Sequence, residues 1–191
     1  SEGMTEIVGP MGFTDMDKEG MLVEGFEEDC TMATYYNPSY YPQIIEKLSY
    51  KKEVDWIQYR IKANQEVPEK ILRINNLIKE KYNLKIVEGL SAKQIAKRYG
   101  HKLFNTLNEA FSDLFGYVPL NEKQAQFYID MYFPFLDKRL LCLIVDENDD
   151  IAAFGVSMPS LTEALRKSKG KLFPFGWYHL LKALKWKTTN H

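Results

Sequence analysis

The strongest constraint on the fold is a pair of apolar runs separated by a short acidic segment. Residues 140–145 and 151–158 are mostly apolar, and Asp146-Glu147-Asn148-Asp149-Asp150 stands between them. Asp and Asn favour turns, and strands joined by so short a connection pair in antiparallel fashion. The pattern therefore predicts a β-hairpin with a polar turn.

Helix and strand patterns alternate along the rest of the chain. Apolar residues recur at helical spacing in several segments, and other segments are rich in β-forming residues. Gly100 lies between two of the helical segments and is expected to separate them. Helices are predicted from Pro38, from Pro68 to Asn83, and over 91–99, 101–115, 121–133, 160–168 and 177–187, and strands over 4–8, 54–61 and from Leu84.

These elements predict an α/β fold in which helices flank a mixed, largely antiparallel sheet. In the simplest arrangement, strands near 4–8 and 54–61 join strands near 84–90, 140–145 and 151–158 in a single sheet. The exposed edges of such a sheet favour pairing with another strand. A homodimer formed through these edges is therefore the expected assembly.

Composition indicates a globular protein with an uneven charge distribution. The chain has 191 residues, of which 45% are hydrophobic and 14% aromatic, and its net charge is −1. Residues 1–30 carry nine acids against Lys18, whereas residues 160–191 carry seven bases against Glu163. One interpretation of this pattern is two solvated faces of opposite charge. The alternative is a basic face that binds a phosphate-bearing ligand.

Two observations indicate a cytoplasmic protein without a membrane partner. Cys30 and Cys142 are isolated, and no charged-then-apolar leader is visible. No segment reaches the roughly 18 consecutive apolar residues that a membrane-spanning helix requires. The chain is expected to be soluble and reduced.

The segment 34–61 carries the clearest functional pattern. It contains Asn37, Pro38, Tyr40 and Tyr41, an amphipathic run ending Leu48-Ser49-Tyr50, and then the β-rich residues 54–61. Asn at an N-cap and Pro at the first helical position are favoured helix starts. The segment resembles the helix of the GNAT acyltransferase superfamily, in which Asn and two aromatics begin the helix and Leu-Gly-Phe or Leu-Gly-Tyr precedes the next strand. This chain has Ser49 where the family usually has Gly.

The resemblance implies a chemistry and a set of residues. In that family a helix tyrosine protonates the thiolate of coenzyme A as the thioester breaks, and Tyr40 and Tyr41 are the matching positions. Asn37 is implied to contact the cofactor, which would be acetyl-CoA or another acyl-CoA. The alternative is that the tyrosines form only a packed aromatic cluster.

The family's phosphate loop is not visible in the chain. GNAT enzymes hold the pyrophosphate with backbone amides from a Q/R-x-x-G-x-G/A segment that starts a helix. Neither 9–12 nor 170–176 fits that pattern. The chain is therefore predicted to combine the closing half of one GNAT-like module (1–64), a connecting helix (65–83) and the opening half of a second (84–191). It is expected to be an N-acyltransferase of doubtful activity or, alternatively, a non-catalytic module or a fragment of a longer tandem enzyme.

Two further motifs favour neither a metal nor a nucleic acid as a partner. Residues 15–20 match the first positions of an EF-hand loop, but Phe26 stands where that loop needs a bidentate Glu. Residues 90–100 resemble the first helix and turn of a helix-turn-helix. The following helix, however, carries a strong apolar stripe in place of a basic recognition face.

Overall fold

A computed structural model of the protein describes residues 3–31, 34–61 and 66–186. Within these residues the chain forms six α-helices and a three-stranded antiparallel sheet, which makes it a mixed α/β protein. Two compact units are present, one comprising Ser1–Trp56 with Pro159–His191 and the other comprising Ile57–Met158. In chain order, the elements are α1 (Tyr41–Lys47), α2 (Glu69–Lys81), β1 (Lys85–Ile86), α3 (Ala92–Phe111), α4 (Glu122–Tyr132), β2 (Leu141–Val145), β3 (Ile151–Val156), α5 (Thr162–Ser168) and α6 (Gly176–Trp186).

The predicted β-hairpin is confirmed. β2 and β3 are antiparallel, with Leu143 opposite Phe154, and β1 pairs with the other edge of β2. Leu143 lies at the centre of the core, with 1% of its surface exposed. In the turn, the backbone amides of Asn148 and Asp150 both donate to the Asp146 carboxylate, at 2.9 Å each. The polar residues between the strands therefore hold the turn with their own hydrogen bonds.

Two capped helices complete the core of this unit, with α3 packed on the sheet and α4 packed on α3. The side chains of Ser91 and Asn121 accept hydrogen bonds from the amides of Gln94 and Gln124, and each glutamine reaches back to its cap amide. These capping boxes satisfy donors that a helix start otherwise leaves unpaired. The apolar faces of α3 and α4 then pack with β2 and β3 into one core, formed by Ile95, Tyr99, Leu103, Phe104, Leu120, Ala125, Ile129, Phe133, Leu143 and Val145.

The prediction that Gly100 separates two helices is wrong. α3 runs without interruption from Ala92 to Phe111, and Gly100 is buried within it. An added Cβ at this position would lie 2.8 Å from Cδ1 of Ile129 on α4. The lack of a side chain at this position lets the two helices approach closely. The glycine does not mark a turn.

The predicted strands over 4–8 and 54–61 do not form, and the five-strand sheet is therefore wrong. Both segments lack regular structure, and most of their apolar side chains are exposed, including Ile7 and Ile61. β-forming residues stabilise a strand when they pack on a covered, paired surface. No described residue pairs with either segment in a ladder, so their composition alone does not produce strands.

The helix predicted from Pro68 is confirmed as α2, but no residue in it is buried. Its apolar stripe, which includes Ile71, Ile74 and Leu77, remains exposed. The helices predicted near 121–133, 160–168 and 177–187 are confirmed as α4, α5 and α6, while residue 187 lies outside the described part. The division into GNAT-like halves and the dimer through sheet edges remain predictions.

Candidate functional site

The two tyrosines implied as catalytic acids lie side by side at the start of α1. Tyr40 is the N-cap residue and Tyr41 is the first residue of the helix. Their ring centroids are 5.1 Å apart, with the planes inclined at 58°. Each side chain is about half exposed. Within the described residues neither hydroxyl makes a hydrogen bond, so both are available to a ligand.

Asn37 is placed differently from the prediction. It is not the N-cap of α1, because the helix starts four residues later, at Tyr41. The proline in the first turn of the helix is Pro42. The Asn37 side chain is buried, and its Oδ1 accepts a 2.8 Å hydrogen bond from the amide of Leu22. Its Nδ2 donates to the carbonyls of Leu22 and Pro38, at 3.1 Å each. The amide therefore fastens a neighbouring loop to the segment that precedes the tyrosines.

The end of α1 keeps the backbone form that the resemblance leads one to expect. Ser49 has a φ of 68°, in the left-handed region where glycine is usual. The amide of Ser49 donates to the carbonyl of Glu46, and the amide of Tyr50 donates to that of Ile45. These two bonds form a Schellman cap, which ends the helix and turns the chain towards Trp56.

Trp56 and Gly20 pack together in the same unit as the tyrosines. A Cβ added to Gly20 would lie 3.2 Å from Cε3 and Cζ3 of the Trp56 ring. Gly20 has a φ of 77°, so a side chain there is disfavoured by the backbone as well. The acidic loop before it includes Glu19, whose pKa is raised by burial and by the neighbouring Asp15 and Asp17.

A second polar cluster, in the unit Ile57–Met158, joins α3 to the hairpin turn. The Asp149 carboxylate accepts hydrogen bonds from the Tyr99 hydroxyl at 2.6 Å and from the Arg98 guanidinium at 2.9 and 3.1 Å. Lys102 donates to the Asp149 carbonyl and to the Asp150 carboxylate. The hydrogen bond from Tyr99, followed by Arg98 and Lys102, holds the pKa of Asp149 below its ordinary value. Because these groups satisfy one another, the cluster is structural.

The sequence predictions missed this cluster. Its signal was a basic pair spaced four residues apart on α3, Arg98 and Lys102, which matched the acidic turn of the predicted hairpin. Opposite charges at such positions attract, but sequence alone does not show that the helix crosses the turn.

A shallow cleft of about 280 Å³ lies beside β1 and β2. Its lining includes the apolar side chains of Ile86 and Leu143 and the basic side chains of Lys138 and Arg139. Arg139 is engaged by the Asp137 carboxylate through two hydrogen bonds of 3.1 and 3.0 Å. The cleft lies in the unit Ile57–Met158, whereas the tyrosines belong to the unit that comprises Ser1–Trp56 and Pro159–His191.

The start of α6 does not offer a phosphate cradle. The Trp177 amide donates to the carbonyl of Leu172 at 2.9 Å, and the Tyr178 amide donates to that of Phe175. An anion site at a helix start needs amides without internal partners. The described residues also contain no group of three or more His, Cys, Asp or Glu side chains placed to hold a metal ion.

Two named proteins are similar to this chain in sequence. The protein named "Bacterial ceramide synthase" of Caulobacter vibrioides (strain NA1000 / CB15N) is 28% identical over 189 residues, which cover 97% of this chain and 47% of that protein. "Protein YghO" of Escherichia coli (strain K12) is 27% identical over 200 residues, which cover 97% of this chain and 46% of that protein. The chain thus spans about half the length of the curated relatives it matches. No family model and no solved structure matches it.

Proposed function

We propose that this chain belongs to an N-acyltransferase of the GNAT type, which transfers an acyl group from acyl-CoA to an amine. The observation that carries the proposal is the tyrosine pair at the start of α1, whose side chains are about half exposed and whose hydroxyls make no hydrogen bond within the described residues. The name of one relative supports the same reaction class. Ceramide is an N-acylated long-chain amine, so a synthase that forms it makes an amide bond. A long-chain amine is accordingly the acceptor we propose.

In the proposed reaction the amine nitrogen attacks the thioester carbonyl and the carbon–sulfur bond breaks. Tyr40 or Tyr41 gives its proton to the departing thiolate, which leaves as the free thiol. The nitrogen loses one proton to solvent, and solvent returns one to the tyrosinate. The products are one amide and one coenzyme A thiol.

In this proposal a tyrosine of α1 gives the proton, but neither the start of α6 nor Asn37 offers a fitting phosphate cradle. The amides of Trp177 and Tyr178 are engaged, and the Asn37 side chain is already hydrogen-bonded. These observations favour a second candidate, a non-catalytic module or a fragment of a longer tandem acyltransferase. Its support includes the matched length, since the chain corresponds to about half of each relative.

Thiol release from acyl-CoA in the presence of a long-chain amine separates the two candidates. The full-length Caulobacter relative serves as the reference protein in the same assay, and calorimetry measures acyl-CoA binding to the chain. Turnover that is lost in Tyr40→Phe or Tyr41→Phe, with folding retained, supports acyl transfer. The matched control is Tyr59→Phe, since Tyr59 is 77% exposed and lies outside α1. Absence of both binding and turnover in the chain, when the reference protein is active, refutes independent catalysis and favours the second candidate.

A further inference from the structure

The α6 helix and the loop before it form an exposed apolar surface with lysines at its margin, here called the α6 surface. Its apolar members are Leu172, Phe173, Phe175, Trp177, Leu181 and Leu184, all of which are exposed. Phe173 is 80% exposed and Phe175 is 73% exposed. Large aromatic side chains are costly to leave in water, so two of them at a loop tip call for a partner that covers them.

The outward position of these rings follows from the fold of the loop. α5 ends with Lys169 at a φ of 50°, and the Gly170 amide donates to the carbonyl of Leu165. The Trp177 indole then donates to the carbonyl of Pro174 at 3.0 Å. At Gly176 an added Cβ would overlap the carbonyl of Lys171, so the loop can close only with glycine there. The loop is therefore held by its own hydrogen bonds, with the phenylalanines at its tip.

The face that α6 presents continues the apolar tip. Trp177, Leu181 and Leu184 are spaced at four and three residues and so share one side of the helix. Ala183, on another side, is buried. The helix thus separates one buried side from an exposed apolar side, as expected for a helix that lies in an interface plane.

Lysines border this apolar surface. Lys169 and Lys171 stand in the loop that carries the phenylalanines; both are exposed, and neither forms an ion pair within the described residues. The neighbouring bases differ, since Arg166 pairs with Asp29 and Lys167 pairs with Glu163. The surface therefore has a positive margin at Lys169 and Lys171, which form no direct ion pair within the described residues.

We propose that the α6 surface docks on an anionic lipid bilayer. Trp and Phe side chains with flanking lysines are typical of segments that rest at the headgroup level, where the rings enter the acyl boundary and the ammonium groups meet phosphates. Lysine is depleted at protein–protein interfaces, where arginine is preferred, so the type of cation favours lipid over a protein partner. The proposal concerns a surface and does not depend on acyl transfer.

Docking of this kind differs from membrane insertion. Among the described residues, no helix combines the length and apolarity needed to cross a bilayer. The sequence expectation of no membrane partner rested on the same criterion, which concerns spanning only. An 11-residue helix that lies flat against the headgroups does not need the length or the apolarity of a spanning helix.

Co-sedimentation with vesicles tests the proposal on the whole chain. The chain is expected to bind vesicles of equimolar phosphatidylcholine and phosphatidylserine, to bind pure phosphatidylcholine less, and to lose affinity as salt rises. Replacing two lysines near an anionic surface lowers affinity by roughly thirtyfold, about fivefold for each charge. Lys169→Gln/Lys171→Gln is expected to show this loss, whereas the matched pair Lys93→Gln/Lys97→Gln is expected to retain most of the binding.

The aromatic contribution has its own variants. Phe173→Ser/Phe175→Ser is expected to reduce binding at least about tenfold, because each ring enters the acyl boundary. Phe13→Ser is the control, since Phe13 is 95% exposed but lies outside the surface. Melting curves check that each variant folds.

Three results would overturn the proposal. One is equal sedimentation with neutral and anionic vesicles, and another is equal loss in the test and control variants. The third is concentration-dependent self-association that Phe173→Ser/Phe175→Ser abolishes, in the absence of vesicle binding, because the surface would then pair two copies of the chain.

Discussion

Replacing Gly100 with Ala tests how closely α3 packs against α4. The backbone at Gly100 is ordinary helix, so alanine meets no conformational obstacle there. Its Cβ would, however, lie 2.8 Å from Cδ1 and 3.2 Å from Cγ1 of Ile129. Ile129 is itself buried, so its side chain has little room to move aside.

Two effects of opposite sign decide the outcome. Alanine in a helix interior is favoured over glycine by about 1 kcal/mol. Forcing an extra methyl into a packed core costs about 1–3 kcal/mol. Gly100→Ala is therefore expected to lower the free energy of unfolding by about 1 kcal/mol. Ile129→Val removes the Cδ1 atom that the new methyl meets first, and by itself costs about 1 kcal/mol.

The double variant isolates the contact. In the Ile129→Val background, Gly100→Ala is expected to be neutral or to stabilise by up to about 1 kcal/mol, which gives a coupling energy of about 1–2 kcal/mol. Urea unfolding followed by far-ultraviolet circular dichroism measures all four proteins, with slopes compared to check that the transitions are alike. If Gly100→Ala stabilises the wild type as much as the Ile129→Val variant, the close approach of α3 and α4 is refuted.

Two further predictions concern backbone strain and pH. Ser49→Gly is expected to stabilise the protein by about 0.5–1 kcal/mol in thermal melts. A serine in the left-handed region costs about 1–2 kcal/mol, and glycine removes this cost but loses part of the gain to the greater entropy of its unfolded chain. An unchanged or lower melting temperature would contradict the Schellman cap. Asp149→Asn is expected to be less stable than wild type at neutral pH, because the folded pKa of Asp149 lies below its ordinary value near 3.8 and the ionised form is the stabilised one. That contribution is present above the unfolded pKa and is lost as pH falls through the folded pKa, so the melting temperatures should begin to converge below about pH 4 and coincide only below the folded pKa. A gap that persists unchanged in acid would count against the ionised form as the stabilising one.

Elements whose determinants are local were predictable from the sequence. The hairpin at 146–150 was recognisable because its turn residues hydrogen-bond one another, and α4 and α5 were recognisable from apolar spacing and breaking residues. Such signals lie within a few positions and do not depend on what packs opposite.

Errors arose where the outcome depends on a distant partner. Glycine at position 100 has the same local signature whether it ends a helix or admits Ile129, which lies 29 residues further along the chain. The β-rich residues 54–61 form no strand, because strand formation requires a neighbouring edge that local composition does not provide.

The candidate site shows the same division. The pairing of Tyr40 and Tyr41 follows from their adjacency at a helix start. The position of Asn37 could not be predicted, because an asparagine before a proline is a good cap in isolation and its actual partner, Leu22, lies in a loop without regular structure. Likewise, the exposure of Phe173 and Phe175 depends on how the loop before α6 folds at Gly176, and the sequence alone does not show this.

The side chain of Asn37 accepts one hydrogen bond from the backbone of Leu22 and donates another to it, and this pair of bonds fixes the segment before α1. A side-chain amide presents one donor and one acceptor, as a peptide group does, so Asn37 replaces the bridge that a neighbouring strand would supply. The chain between residues 22 and 37 is thereby a closed loop, whose closure entropy grows by only about 0.6 kcal/mol for each doubling of length. A change in the length of this loop therefore costs little closure entropy, provided that Asp29 within it keeps its ion pair with Arg166 of α5.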